Sequence, residues 1–451
     1  MPISGGSAES EIVPAASLIR ARVRDMVRNN GYARKAARTV YTSVVGKGIK
    51  LSIRTRSAVG SREAKSAWKK WAESTACDFE GRKNLYGIQA LVTRAIYVDG
   101  EVFIRQRRTK AKRSKIPLQL QVIEADYLDT SKSSSHAGTK LQAGNEIRNG
   151  IEVDEEGRKV AYWLYNRHPN DVYYSGNPTS VRVPSGQILH LYHEERAGQL
   201  RGVSELTSAV FRLHDFSEYE DAQLIRQKIA ACFTIFVTGD SEARPGDSSN
   251  AGYPLERVEP GIIEYLPPGK NIEYGTPPPT ENYDEYSRKM LQGAAAGAGV
   301  TYEAMTGDLS NVNFSSGRMG WLEMARYITD FQENIMVVQF CGPVWDWFEE
   351  AAKVGGVLRP QTEFDTYWTA PRREMIDPVK EVKGLEDAVR AGFTSWQDVV
   401  REMGGDPEVL RAEMAEDMAA FDAMGAAPTS DPRYDPKRQD NTKEKDGSKE
   451  V

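Results

Sequence analysis

The sequence predicts an α+β fold, and three observations carry that reading. Apolar residues recur at helical spacing over long stretches. Short alternating segments crowd between residues 100 and 192, and a smaller patch with strand character separates two helices near 233–280. At 451 residues the chain exceeds the size at which one hydrophobic core usually stops growing, so several structural parts are expected.

Taken in order, residues 1–17 are rich in Ser and Gly and are expected to form a flexible N-terminus. Helical patterns follow over 18–45, 62–76 and 81–98, and Gly46 and Gly48 stop the first. Val102 and Ile104 then alternate with other residues, as do Leu118, Leu120 and Val122. Segments 151–153 and 160–164 flank Glu155-Glu156-Gly157, a hairpin signal, and 188–192 is the last strand of this α/β part, 18–203. Between two of the strands lies RQRRTKAKRSK (105–115), with seven basic residues in eleven. Without interleaved aromatics for stacking, it reads as a solvated hairpin tip before it reads as a DNA site.

A second long helix is expected over 204–232. Leu206, Val210 and Leu213 form one apolar stripe; Ala222, Ile225, Ile229 and Cys232 form another, out of phase across Glu218, Glu220 and Asp221. A helix set between like neighbours in a ring presents such a divided surface, and so does a kinked core helix. Residues 233–280 are β-rich, with FTIFVTGD and PGIIEYLPPGKNIEYG broken by Pro and Gly, and a helix returns over 281–299. Helix, small sheet, helix describes a projecting stalk with a β tip. A polar loop over 300–316 leads into the longest helical pattern, 317–353, roughly 55 Å at about 1.5 Å per residue. Gly342-Pro343 should bend that helix near its last third. Residues 378–425 read as helical and acidic, and 426–451 are almost free of apolar residues, which predicts disorder.

Hydrophobic residues make up 40% and charged residues 27%, values usual for a soluble globular protein. No run of eighteen apolar residues argues for a membrane span, and MPISGGSAESEIVP lacks a secretory signal pattern. Cys77, Cys232 and Cys341 lie far apart and read as reduced cytosolic thiols, with neither a disulfide framework nor a zinc motif. The net charge of −5 opposes a conventional nucleic-acid binder, which gains affinity by neutralising phosphates. Charge is uneven: residues 20–38 carry Arg20, Arg22, Arg24, Arg28, Arg34, Lys35 and Arg38, whereas 398–422 are acidic. Solvated helix faces explain both stretches, and a basic surface meeting an acidic one in an assembly is the functional alternative.

No catalytic constellation emerges. His190 and His193 have HxxH spacing, but on a strand such residues face opposite sides, so structural histidines are the favoured reading over a metal pair. GAAAGAG (293–299) lies in a helical pattern and lacks GxGxxG; VVGKGIK (44–50) misses the phosphate-loop spacing. Glu124 and Asp126 are two carboxylates, short of what a two-metal nuclease needs. Neither a metal nor a cofactor is implied.

Several phrases, in order, resemble the lambda-type family of tailed-phage portal proteins. They include RARVRDMVRNNGYARKAARTVYTSVVGKGIKL (20–51), CDFEGRKNLYGIQALVTRAIYVDGEVFIR (77–105), LQLQVIEADYLDT (118–130), YEDAQLIRQKIAACF (219–233), EPGIIEYLPPGKNIEY (259–274), EAMTGDLSNVNFSSGRMG (303–320) and FTSWQDVVREMGGDP (393–407). The resemblance implies a portal fold: an α/β wing over 18–203, stem helices over 204–232 and 281–299, and a β-rich clip over 233–280. It also implies a tunnel loop over 300–316, a long wing helix with its return segment over 317–377, and a helical crown over 378–425. It further implies a non-enzymatic homo-oligomeric ring, a dodecamer, at one capsid vertex in the virion, assembled in the host cytoplasm. Such a ring passes double-stranded DNA and meets the terminase large subunit, major capsid or scaffold protein and head-tail connector proteins, without a membrane. The candidate channel residues are Ser310, Asn311, Val312, Asn313, Phe314 and Ser315. A DNA-processing enzyme of a mobile element and a non-channel head adaptor are the alternatives.

Overall fold

A computed structural model of the chain describes residues 5–108, 115–134, 144–173, 178–231, 235–238, 271–274, 282–371, 375 and 377–425. In chain order its elements are helices α1 (Ala8–Asn29) and α2 (Gly31–Val45), strand β1 (Lys50–Arg54), and helices α3 (Ala58–Ala72) and α4 (Leu85–Asp99). Strands β2 (Glu101–Arg107), β3 (Gln119–Glu124), β4 (Glu146–Arg148), β5 (Ile151–Val153), β6 (Lys159–Tyr165), β7 (Ser180–Pro184) and β8 (Ile188–Tyr192) follow. Then come α5 (Thr207–Ala231), β9 (Ile235–Thr238), β10 (Asn271–Tyr274), α6 (Tyr283–Gly297), α7 (Tyr302–Thr306) and α8 (Phe314–Asp330). A π-helical segment, Phe331–Cys341, leads to α9 (Gly342–Val354), β11 (Asp365–Thr369), α10 (Pro378–Arg390), α11 (Trp396–Glu402) and α12 (Pro407–Met424). The α+β class expected from the sequence is what the chain forms. Among the described residues no helix is long and apolar enough to cross a membrane.

The chain divides into two compact units. The first comprises residues 1–42, 91–105 and 122–330. A three-stranded sheet in the order β3-β2-β8 and a four-stranded sheet in the order β4-β5-β6-β7 share one apolar cluster. Phe103, Ile123, Ile151, Tyr162, Val183 and Ile188 bring six strands to it. The β5–β6 turn expected at 155–157 is present, with Gly157 at φ 81°. Where α4 hands over to β2, backbone packs on backbone: Gly100 has φ 90°, and a Cβ there would lie 2.6 Å from the Val203 carbonyl carbon. A Cβ on Gly202 would in turn overlap the Gly100 carbonyl oxygen.

Helix α1 corrects the expected flexible N-terminus, because residues 8–17 are helical. Ser7 caps it by accepting from the Ser10 N–H, and Glu9 and Glu11 sit in the first turn, where acids favour the helix dipole. Glu9 also accepts from the Leu200 N–H at 2.8 Å, and Glu11 pairs with Arg196 at 2.8 Å. The single helix expected over 18–45 is interrupted at Asn30, whose side chain accepts from the N–H groups of Tyr32 and Ala33 and so starts α2. Helices α5 and α6 run antiparallel: Ser208 near the start of α5 donates to the Gly297 carbonyl, while Tyr219 further along stacks on Tyr283 and tilts against Tyr286. Strands β9 and β10 pair antiparallel. The remainder of the expected β patch, residues 233–234, 239–270 and 275–280, lies outside the described residues, as does the Cys232 of the second stripe.

The second unit comprises residues 43–90, 106–121 and 331–451. Strand β1 pairs with β11; beside that ribbon Trp68 meets Trp345, Phe348 and Trp368 edge to face, and Trp71 tilts against Trp68 and Phe348, with ring centroids 4.9–5.9 Å apart. The Trp71 indole donates to the Leu118 carbonyl at 2.9 Å. Buried Gln89 caps the irregular link before β1, accepting from the Ile49 N–H and donating to its carbonyl. The expected unbroken α-helix over 317–353 is corrected: α8 and α9 are separated by π geometry. Pro343 lacks the N–H an interior position needs and stands in the first turn of α9, where none is needed. The basic run is described only at its edges, Arg107 binding Gln121 and Arg108 binding Glu350; residues 109–114 lie outside the described set, as do 426–451.

Candidate functional site

The loop singled out by sequence is shorter than expected. Helix α7 takes residues 302–306, capped by the Thr301 hydroxyl, and Gly307 at φ 81° closes it. Helix α8 begins at Phe314, so Phe314 and Ser315 stand in its first turn, outside the open loop. The cause is local. Asn313 accepts from the Ser316 N–H at 2.8 Å, while the Ser316 hydroxyl accepts from the Asn313 N–H at 3.2 Å, a reciprocal arrangement that starts a helix. Ser310, Asn311 and Asn313 are exposed and Val312 is half-buried, whereas Leu309 is 68% exposed.

Two further residues shape the loop, and sequence reasoning missed both roles. Asp308 accepts from the Ser310 N–H at 3.0 Å, from the Ser310 hydroxyl at 2.5 Å and from the Tyr302 hydroxyl at 3.0 Å. Chiefly the Ser310 hydroxyl holds this carboxylate below its ordinary pKa. Arg288, on α6, lies 3.8 Å from Asp308 and 3.7 Å from Asp284. With its amide oxygen turned toward the guanidinium, Asn311 accepts from both terminal nitrogens of Arg288, one of them at 2.8 Å. The Asp308-x-Ser310 turn was readable from spacing. Arg288 was not, because it comes from another element.

The GAAAGAG stretch belongs to this neighbourhood. Gly297 lies against Ser208, where a Cβ would come 3.0 Å from its hydroxyl, and Gly293 leaves room for the Arg212 guanidinium. These glycines let α5 and α6 approach closely; they cradle no phosphate.

The other sequence candidates resolve into ion pairs. His190 stacks on Phe103 at 4.4 Å, and its Nε2 lies 3.0 Å from Glu101. His193 instead contacts Glu205 at 2.8 Å, which raises its pKa, so the HxxH residues serve separate partners. Glu101 is buried among Arg201, Arg20 and His190 and also accepts from the Gly202 N–H. Burial opposes its charge, but the Arg201 charge and the hydrogen bonds from His190 and Arg201 overrule that and hold its pKa well below the ordinary value. Burial pushes His190 down to about 4, and pushes the neighbouring Lys159 down to about 8. Glu124 and Asp126 do converge, together with His168. Arg24 already occupies them, with Nη1 2.7 Å from Asp126, Nη2 3.4 Å from Glu124 and Nε 2.7 Å from Asp99.

Comparison with known proteins adds to this picture. The family description "Phage portal protein, lambda family" matches residues 2–332. The probable portal protein of Halomonas phage phiHAP-1 is 28% identical over 444 residues, covering 94% of this chain and 84% of its own length. Portal protein B of Escherichia phage lambda is 21% identical over 472 residues, covering 94% and 87%. A solved structure, the neck of an empty GTA particle computed with C6 symmetry, is 12% identical with a TM-score of 0.49, covering 90% of this chain and 96% of that one.

Proposed function

The chain belongs to the lambda family of phage portal proteins, and from that premise we propose that copies of it close into a ring, a dodecamer, at one capsid vertex. The ring is a passive channel for packaging and ejecting double-stranded DNA. The observation that carries this reading is apolar surface that one copy leaves open. Phe211, Leu224 and Ile225 on α5 are 62%, 50% and 57% exposed. Met319 and Leu322 on α8 are 73% and 40% exposed, and Val338 in the π segment is 63% exposed. A heterologous contact repeated head to tail covers such faces and closes when the rotation completes.

A conduit must not hold what it conducts. A lysine facing the bore is repeated by every subunit, and each neutralised phosphate strengthens binding through counterion release. The open segment Ser310-Asn311-Val312-Asn313 carries no charge, and beside it Asp308 and Arg288 offset one another. On this reading α5 and α6 are the stem, β9 and β10 belong to the clip that docks the terminase large subunit, and α10–α12 form the crown. Capsid or scaffold protein and head-tail connectors contact other faces, and no chemistry is required of the chain itself. Electron microscopy of the purified protein tests the ring: closed rings with a bore admitting duplex DNA are expected, and a persistent monomer or two-fold dimer refutes it. Asn311→Lys with Asn313→Lys should leave rings intact and reduce packaged DNA; unchanged packaging and infectivity remove the loop from the mechanism. A DNA-processing enzyme would centre on Glu124, Asp126 and His168, whose carboxylates Arg24 neutralises. Metal-dependent nuclease turnover abolished by Asp126→Asn would favour that alternative.

A further inference from the structure

Helices α10 and α12 bury little against the described residues of their own chain. No residue of α10 is buried, and Pro407 is the one buried residue of α12. Isolated helices of this length are marginal in water, so each needs a partner to lie against. Both carry the stripe for one. Val379, Val382, Leu385 and Val389 follow helical spacing on α10; Val379 and Val382 are 80% and 51% exposed, and Phe393 just beyond is 87% exposed. On α12 the stripe is Leu410, Met414, Met418 and Phe421, all half-buried.

Helix α12 is anchored at its start. Glu408 pairs with Lys65 at 2.7 Å and Arg54 at 2.9 Å, Asp406 accepts from Ser52 at 3.0 Å, and Arg411 lies over the Trp396 ring. Beyond Arg411, the acids Glu413, Glu416 and Asp417 have no ion-pair partner among the described residues.

We propose, resting on the ring reading, that α10 of one copy packs along α12 of the next copy, apolar stripe on apolar stripe. Charge selects this pairing over the like-with-like alternative. Helix α12 carries Glu408, Glu413, Glu416, Asp417 and Asp422 against Arg411, so two α12 helices repel. Glu413 and Asp417 each precede a stripe methionine and therefore line one edge of the stripe. On α10, Lys383 and Arg390 each follow a stripe valine and likewise share one edge. Lys380 is paired with Asp377 and Arg390 with Glu386, whereas Lys383 has no ion-pair partner among the described residues. Within one chain the α10 stripe is exposed at Val379 and Val382 and the α12 stripe is half-buried, so neither fully covers the other. A head-to-tail ring gives every copy one neighbour for α10 and another for α12.

Disulfide trapping in assembled rings tests the contact. One chain carries Val382→Cys; a second carries Met414→Cys, Met418→Cys or Phe421→Cys in turn, so that one-turn register shifts are covered. The native Cys77 and Cys341 are buried, and Cys232→Ser removes the third native thiol from every chain used. Oxidised mixed rings should yield cross-linked dimers, and a chain carrying both substitutions should yield a ladder of multimers. Intact rings with no cross-link at any register overturn the pairing while leaving the ring reading standing. A doubly substituted chain that oxidises only within itself overturns it too, as does equally efficient dimerisation of Val382→Cys alone. Absence of rings from the unsubstituted protein is a separate failure, that of the ring reading itself.

Discussion

Glu101 has no solvent exposure yet stays ionised, because Arg201, Arg20 and His190 surround it. Replacing it with Gln keeps the shape and strands two buried guanidinium groups, so Glu101→Gln should destabilise the fold by about 3–5 kcal/mol in denaturant titration. A loss below about 1 kcal/mol would mean the cluster is well hydrated. His190 adds a pH dependence. Its folded pKa of about 4 lies below the ordinary 6.5, so the unfolded chain takes up the proton first as the solution is acidified. Its contribution is therefore full above about pH 6.5 and is lost progressively toward pH 4. The melting temperature should fall over that window, and His190→Gln should flatten the fall. Histidine spacing alone pointed to a strand position and against metal. Burial sets this titration, and Glu101, the carboxylate that opposes it, lies 89 residues away in sequence and could be found only from the fold.

Among elements, the antiparallel pair α5 and α6 depends on small residues at 293–299. A Cβ at Gly293 meets only the mobile end of Arg212, whereas one at Gly297 also approaches the Ala209 backbone nitrogen, at 3.3 Å. Gly293→Ala should therefore be nearly neutral. Gly297→Val should cost about 1–3 kcal/mol by forcing the helices apart; equal melting temperatures for the two variants would contradict this packing. Element type was legible wherever one periodicity ran unbroken, as in α3, α4 and the β5–β6 hairpin. Boundaries were not legible where a single side chain decides them. Ser7 moves the start of α1 to Ala8, Asn30 splits what reads as one helix, and the Asn313–Ser316 exchange takes Phe314 and Ser315 into α8. The π segment is also silent in sequence, because its apolar residues satisfy an α-helical pattern almost as well.

For the whole molecule, the open apolar residues of α5 separate folding from assembly. Ile225 is 57% exposed, so Ile225→Asp should change the stability of the monomer by no more than about 0.5 kcal/mol while abolishing rings in sedimentation and micrographs. Rings of normal yield would exclude this face from the subunit contact. The phase break between the two α5 stripes fitted both a divided surface helix and a kinked core helix, and the exposures add what the sequence left open. Leu206, Val210 and Leu213 are buried, and Leu224 and Ile225 are open. The division into two units was not readable: it falls inside α4, between residues 90 and 91, and inside β3, where no change of composition marks it.

The crossing of Gly100 and Gly202 carries a consequence for ancestry. Each position is confined to glycine by the other strand's main chain, and the Gly202 amide is also committed to Glu101. A first mutation at either site cannot be repaired by altering a neighbouring side chain, since the obstacle is peptide and not substituent. Lineages descending from this gene can wander freely at Gly186, which faces open space. At these two codons they inherit a frozen pair, and any escape would have to reroute the chain itself.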